Sequence, residues 1–230
     1  MQSCNRKASR IGKRAPRGRP NSNNMSVLPR TELLRRIAAK ELVISPIIDP
    51  ARQVGRASVD LRLGTMALIV RGSGQISVDP RTYIAHDSAE RLAHEENKRR
   101  KLERISVPFG DSLTLHAGSL VLVPTLEWVK LPKDLEGAVT ARSSWGREGL
   151  SVATAAFIHP CYNGIITLEL SNFGQIPIVL YPGMRIAQLA LYHIDEKQAD
   201  ACDSRSSQFD LSFEATGGDI TKGDEGFILK

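Results

Sequence analysis

Cysteine is scarce in this sequence: Cys4, Cys161 and Cys202 are the three among 230 residues. At those spacings they make neither the disulfide framework of a small secreted domain nor a paired Cys-x-x-Cys ligand set, so reduced thiols are expected. Long apolar runs are missing as well. No stretch reaches the roughly 18 apolar residues of a membrane-spanning helix, and the N-terminus lacks the apolar core of a secretory signal, so a cytoplasmic protein is expected. An internal repeat, the strand-helix alternation of dinucleotide-binding folds and a Walker-type phosphate loop are also absent.

Acidic residues are lacking in one place only. The first 24 residues, MQSCNRKASRIGKRAPRGRPNSNN, carry seven Lys and Arg and no Asp or Glu. The formal charge of +6 therefore belongs to this tail, and residues 25–230 sum to 6 − 7 = −1. Its Pro, Gly, Ser and Asn content cannot bury a core, so disorder is expected there. A solvated extension, a nucleic-acid arm and an upstream start before a true beginning at Met25 are the three readings. Nucleic acid as a partner rests on that tail alone.

The rest holds one sizeable core's worth of chain. From Pro29, PRTELLRRIAAKELVI sets Leu33, Leu34, Ile37, Ala38 and Leu42 on one helical face, with Thr31 as a candidate cap. Residues 86–105, HDSAERLAHEENKRRKLERI, predict a second, densely charged surface helix with Leu92 and Leu102 as its large apolar residues. Short strands punctuated by Gly and Pro are expected at 58–63, 66–71, 112–116, 119–125, 136–141, 164–171, 176–181 and 184–192. Many short strands at close spacing predict a mainly β barrel or jelly roll.

FIHPCYNG, 157–164, together with His94-Glu95-Glu96, suggests half of the zinc site of nucleobase deaminases, which read His-x-Glu and later Pro-Cys-x-x-Cys. The ligand count excludes it. The second cysteine would fall at position 164, which is Gly164, and His94 lies on the charged helix. No metal ligand set is expected.

Three stretches carry chemistry instead: ASVDLRLG (57–64), ARSSWGREGL (141–150) and YNGIITLELSNFGQIPIVLYPGMRIAQLALY (162–192). In RSSWGR, Arg142 can fork two hydrogen bonds to phosphate oxygens, and Ser143 and Ser144 offer hydroxyls and backbone N–H groups. The plainer reading is a polar turn capping a short helix. In GIITLELSN, alternation puts Ile166, Leu168 and Leu170 on one face and Ile165, Thr167, Glu169 and Ser171 on the other. Glu169 then either faces water or lines a pocket beside Arg147 as a general base.

With these motifs in this order, residues 30–195 resemble the dCTP deaminase and dUTPase superfamily. The resemblance implies a distorted β-barrel of the dUTPase-like type with a few short helices, spanning 25–195 after the 1–24 tail. Residues 196–230 would form a C-terminal arm packing on the barrel or on a neighbouring subunit. It further implies a homotrimer with sites between subunits, binding a deoxynucleoside triphosphate with Mg2+ carried on the phosphates. Ser144 followed by Arg147, and Glu169, are similar to the deaminase branch. There Glu169 would activate water for attack on cytosine C4, giving dUTP and ammonia without zinc, while Ser143 and Arg147 position water and glutamate. Arg142, Ser144, Ala155, His159, Tyr162 and Gln188 would bind substrate, Tyr162 as an aromatic wall against deoxyribose.

His159 stands where the pyrophosphatases carry an Asp, so dUTP hydrolysis is expected to be low or absent. SVATAAF lacks the His that deaminases of the family often carry, and Gln208 and Phe209 match the family's Lys-Tyr-x-x-Gln arm only loosely. A dUTP pyrophosphatase or bifunctional enzyme, and a nucleotide-binding regulator without turnover, are the alternatives.

Overall fold

A computed structural model describes residues 26–72, 77–78, 88–194, 202, 211–215 and 217–218. The expected basic tail, Gln208, Phe209 and most of the C-terminal arm lie outside the described residues.

Helix α1 (Arg30–Ala38) seats Leu33 in the core and packs Leu34 and Ile37 against it, as its spacing predicts. Two details differ. Thr31 does not cap: Pro29 is the N-cap, and its carbonyl accepts from Glu32 and Leu33 N–H. Ala38 is exposed, and Arg36 is buried on the helix instead, its charge met by Asp134 at 2.7 Å and Glu32 at 2.9 Å. A buried guanidinium is tolerated only when it is paired in this way.

Strand β1 (Val43–Ser45) and helix α2 (Pro50–Gln53) lead to β2 (Ser58–Arg62) and β3 (Met66–Val70). Helix α3 (Ser88–Lys101) has Leu92 exposed to water, as expected of a solvated helix. It ends before the predicted limit, because Leu102–Ser106 is strand β4, paired antiparallel with β3 from Val70↔Leu102 to Met66↔Ser106. LERIS does not alternate, its apolar Leu102 and Ile105 standing three apart, and it is the pairing with β3 that overrides the helical trend of the charged run before it.

The other strands are β5 (Leu113–Leu115), β6 (Leu120–Lys130), β7 (Leu135–Ala141), β8 (Leu150–Val152), β9 (Phe157–Ile158), β10 (Asn163–Asn172), β11 (Ile178–Leu180) and β12 (Arg185–His193). Helix α4 (Ser143–Arg147) lies between β7 and β8. Seven of the eight expected strands lie within two residues of their predicted bounds at both ends, and β6 runs on to Lys130.

The fold is mainly β, but the sheets do not close into a barrel. One sheet runs β4-β3-β6-β10-β8 with β1 added on β6, a second β2-β12-β7-β9, and a third pairs β11 with β5. Closure requires one unbroken ladder around the axis. Here the ladders are interrupted, with register shifts between Ile165 and Thr167 and between Arg185 and Ala187. The sheets enclose one core that includes Leu61, Leu135, Leu168, Leu170, Leu180 and Leu189.

A buried polar joint locks β2 to β6. Glu127 Oε2 accepts from Arg62 N–H at 2.8 Å, and Oε1 accepts from Gln53 Nε2 at 2.9 Å. Burial pushes the Glu127 carboxyl above the ordinary range, against the lowering effect of its hydrogen bonds.

The cysteine expectation is corrected. Cys161 and Cys202 form a disulfide, with Cα atoms 5.5 Å apart. Their separation of 41 residues concealed the pairing, because only the folded chain brings position 202 back to the Cys161 turn. Further along, the arm packs on its own chain's β6–β10 sheet: Leu211 N–H donates to Asn163 O, Ser212 O accepts from Ile165 N–H, and Phe213 packs on Trp128 at 4.6 Å.

Candidate functional site

The end of β7 delivers Arg142, which is the N-cap of α4. Its carbonyl accepts from Trp145 and Gly146 N–H. Neither Ser143 nor Ser144 caps the helix; both are exposed within its first turn. Their hydroxyls therefore remain available, which removes the capping explanation for the pair. Trp145 fixes α4 in place by packing against the core and donating its indole N–H to Arg185 O at 3.1 Å. Arg147, on the same helix, is exposed.

Strand β10 carries Glu169 opposite Leu122 of β6, on the face shared with Thr167 and Ser171. Its backbone is tied to the loop after β8: Ala153 N–H donates to Glu169 O at 2.8 Å, and Glu169 N–H to Thr154 Oγ1 at 3.1 Å. Two residues on, Ala156 O accepts from Val139 N–H of β7. This loop, which contains Ala155, bridges the two large sheets beside the glutamate. Glu169 Oε2 is buried and has no hydrogen-bond partner among the described residues. A carboxylate oxygen removed from water without a donor carries a desolvation cost of about 1–3 kcal/mol or more, and such a group calls for a functional account.

Arg147 and Glu169 lie on elements linked through β8. Helix α4 packs on β8, and β8 pairs with the end of β10 from Leu170↔Val152 to Asn172↔Leu150. No ion pair joins the two side chains within the chain, among the described residues.

His159 is exposed in the turn between β9 and β10, with Cys161 held there at φ 68°. Tyr162 is 7% exposed, and its hydroxyl donates to Ile165 O. It belongs to the core cluster and meets the His159 ring edge-on at 6.5 Å, so only the histidine of the two presents a free face at this turn. Tyr162, expected as an aromatic wall, thus lies in the core rather than on an open surface. Cys161 is bonded to Cys202, and among the described residues no three His, Cys, Asp or Glu gather as metal ligands would.

Gln188 lies on β12 opposite Asp60 of β2 and Thr140 of β7. Its Nε2 donates to Asp60 Oδ1 at 3.2 Å, and the other carboxylate oxygen lies 3.0 Å from Arg185 and 3.6 Å from Arg142. Asp60, Trp145 and Arg185 escaped the sequence reading as individual residues. One signal was present: SVDLR places two charges in a short strand whose last four residues are all buried.

The described residues thus offer a buried, unpaired carboxylate on β10, an exposed serine pair at the start of α4 and an arginine there that meets Asp60. The serines and the arginine suit an anionic ligand. Residues 27–194 match the family described as dCTP deaminase-like. The chain is 39% identical over 169 residues to "dCTP deaminase, dUMP-forming" of Dictyoglomus turgidum, covering 73% of this chain and 80% of that one. It is likewise 39% identical over 164 residues to "dCTP deaminase" of Halorubrum lacusprofundi, covering 71% and 75%. Among solved structures it is similar to 2'-deoxycytidine 5'-triphosphate deaminase from Agrobacterium tumefaciens, with a TM-score of 0.56 and 25% identity. That match covers 74% of this chain and 49% of the solved one, so the chain spans about half of that protein. The chain belongs to the dCTP deaminase-like family.

Proposed function

We propose that this protein deaminates dCTP to dUTP and ammonia, with Glu169 as the general base. The observation that carries the reading is the buried Glu169 Oε2 without a donor, held beside the Ala153–Ala156 loop. Water supplies the missing donor. Glu169 takes a proton from it as the oxygen bonds to cytosine C4, giving a tetrahedral carbon. The protonated carboxyl gives that proton to N3, then takes the second proton from the C4 hydroxyl and gives it to the amine, so that the C4–O double bond forms as the C4–N bond breaks and ammonia departs. Ser143 and Arg147 position the water and the glutamate. Arg142, Ser144 and Gln188 hold the phosphate end, Ala155 and His159 meet the base and sugar, and Tyr162 backs that wall. Magnesium enters with the triphosphate as part of the substrate.

In a trimer with shared sites Arg147 of one copy would meet Glu169 of the next, in keeping with the lack of an ion pair between them within one chain among the described residues. Phe157 and Phe173, both exposed large apolar side chains, are suited to cover by neighbouring copies. A cytoplasmic location is part of the same proposal. Among the described residues no helix is long and apolar enough to cross a membrane.

The names of the relatives favour a second reading, in which hydrolysis continues to dUMP, since several of them are named "dCTP deaminase, dUMP-forming". His159 argues against it, because an imidazole replaces the acidic group expected beside the α-phosphate.

Incubation with dCTP, dUTP and CTP, resolving nucleotides, pyrophosphate and ammonia, separates these outcomes. Ammonia from dCTP, with little pyrophosphate from dUTP, is expected. Glu169→Gln should lower kcat by about 10²–10⁴-fold, the usual contribution of a general acid–base group. A Gln variant at full rate removes Glu169 from the mechanism, pyrophosphate release as fast as deamination selects the second reading, and dCTP binding without ammonia marks a regulator.

A further inference from the structure

Asp60 is the most heavily used charged group near the candidate site, and its partners sort into a pattern. Gln188 stands directly opposite Asp60 on one side and Thr140 on the other, so three adjacent strands align the three side chains across one sheet face. The Asp60 side chain is only 9% exposed, while those of Arg142 and Arg185 are 27% and 36% exposed. One cation would neutralise one buried carboxylate. Here two guanidiniums share it, which leaves an excess of one positive charge at the surface beside the exposed Ser143 and Ser144.

The two arginines are also fixed through their backbones. Arg142 N–H donates to Ile186 O at 3.4 Å, and the Trp145 indole donates to Arg185 O. Arg185 Nη1 is shared between Asp60 Oδ2 and Arg52 O, at 3.0 and 2.9 Å. Its Nε and Nη2, and the Nε and Nη2 of Arg142, have no partner among the described residues. A planar guanidinium held at one nitrogen, with its other donors unspent, is suited to fork onto phosphate oxygens.

We propose that Arg185 is a second phosphate-binding cation and that Asp60 is the positioning residue fixing Arg142 and Arg185 as a clamp for a nucleoside polyphosphate. The clamp rests on the deoxynucleotide reading of the site and extends it to two residues that the sequence motifs did not single out. Ordinary surface ion pairs would contribute little stability and nothing to ligand affinity. The clamp differs from them in what Arg185 does to substrate.

The test uses the full chain, with inorganic triphosphate as a calorimetric probe and dCTP as substrate, in wild type, Arg185→Gln, Arg185→Lys and Asp60→Asn. Arg185→Gln should weaken triphosphate binding and raise the KM for dCTP by about tenfold while kcat changes by less than about threefold. Arg185→Lys should not restore the affinity, because the fork is lost although the charge is kept. Asp60→Asn should move KM in the same direction. Wild-type affinity in Arg185→Gln, or no triphosphate binding by the wild type, would overturn the clamp. A lower melting temperature with unchanged KM in Asp60→Asn would make Asp60 structural only and overturn its positioning role; should that variant not fold, Arg185→Gln still decides on the clamp. Triphosphate binding without ammonia from dCTP would remove the deamination reading and leave the clamp standing.

Discussion

At the scale of single residues, buried polar groups among the described residues divide into those the chain satisfies and the one it leaves open. Glu127 is fully buried, yet both its oxygens accept: one from Arg62 N–H, the other from Gln53 Nε2 and, more distantly, Arg62 Nη1. Gln53 is oriented by Ile48 N–H, which donates to its Oε1, so the amide nitrogen faces the carboxylate. Glu127→Gln would set an NH2 group against one of these donors. A loss of about 2–4 kcal/mol in urea unfolding is expected, with the fold retained, because one buried donor loses its acceptor. Glu169 contrasts with this: its backbone is fully tied down, and its Oε2 is the unpartnered buried side-chain oxygen among the described residues. Structural residues close their hydrogen bonds within the chain, whereas this one leaves an acceptor for something from outside.

At the scale of elements, α1 and α4 are held by different means. Helix α1 depends in part on charge: Arg35 bonds both oxygens of Glu32, at 2.9 and 2.8 Å, and Arg36 adds a third contact. Hydrogen bonding from Arg35, partly opposed by desolvation and reinforced by Arg36, lowers the Glu32 carboxyl to about 2. Because the folded value lies below the ordinary 4.5, this stabilisation is complete above 4.5 and is lost as pH falls toward about 2. The stability gap between wild type and Glu32→Gln, measured by chemical denaturation, should therefore narrow across that window; a gap independent of pH would contradict it. Helix α4 is short and depends on its flanks instead. Gly149, which follows it, sits at φ 91°, and a Cβ there would fall 2.7 Å from Gly174 N. Gly149→Ala should cost about 2 kcal/mol or more in thermal stability and raise the KM for dCTP, since the turn that aims Ser143 and Arg147 must shift.

At the scale of the whole molecule, the C-terminal arm and the sheets act together. The arm buries Ala215 against Leu68 and Leu122 and pairs Glu214 with Arg104, on the sheet face that also carries Glu169. The Cys161–Cys202 bridge closes a loop of 41 residues before this strap. In the chain-entropy account a loop of that length restricts the unlinked ensemble by up to about 4 kcal/mol. Reduction by a dithiol should accordingly speed amide exchange at Leu211 and Ile165, whose hydrogen bonds hold the strap, and leave amides of β12 such as Leu189 protected. Equal exchange at Leu211 with the bridge open and closed would show that the strap docks without it.

Much of this organisation was legible in the chain. Period-two alternation set the strands, including which face of β10 carries Glu169, and the amphipathic spacing set α1. The motif RSSWGR located a helix start beside a strand end, because Ser and Arg are common at helix starts. Each of these is a local property, carried by neighbours a few residues apart. What local pattern could not supply depends on long-range pairing. LERIS became a strand because β3 lay beside it, and Tyr162 sank into the core because its turn folds under. Cys161 found a partner 41 residues away, and Asp60 gathered arginines from the start of α4 and from β12, 82 and 125 residues on, as 142 − 60 and 185 − 60. The sequence by itself determined the elements and the chemical types at the site; the tertiary structure alone decided which charges meet, because cross-strand register, not spacing along the chain, sets those distances.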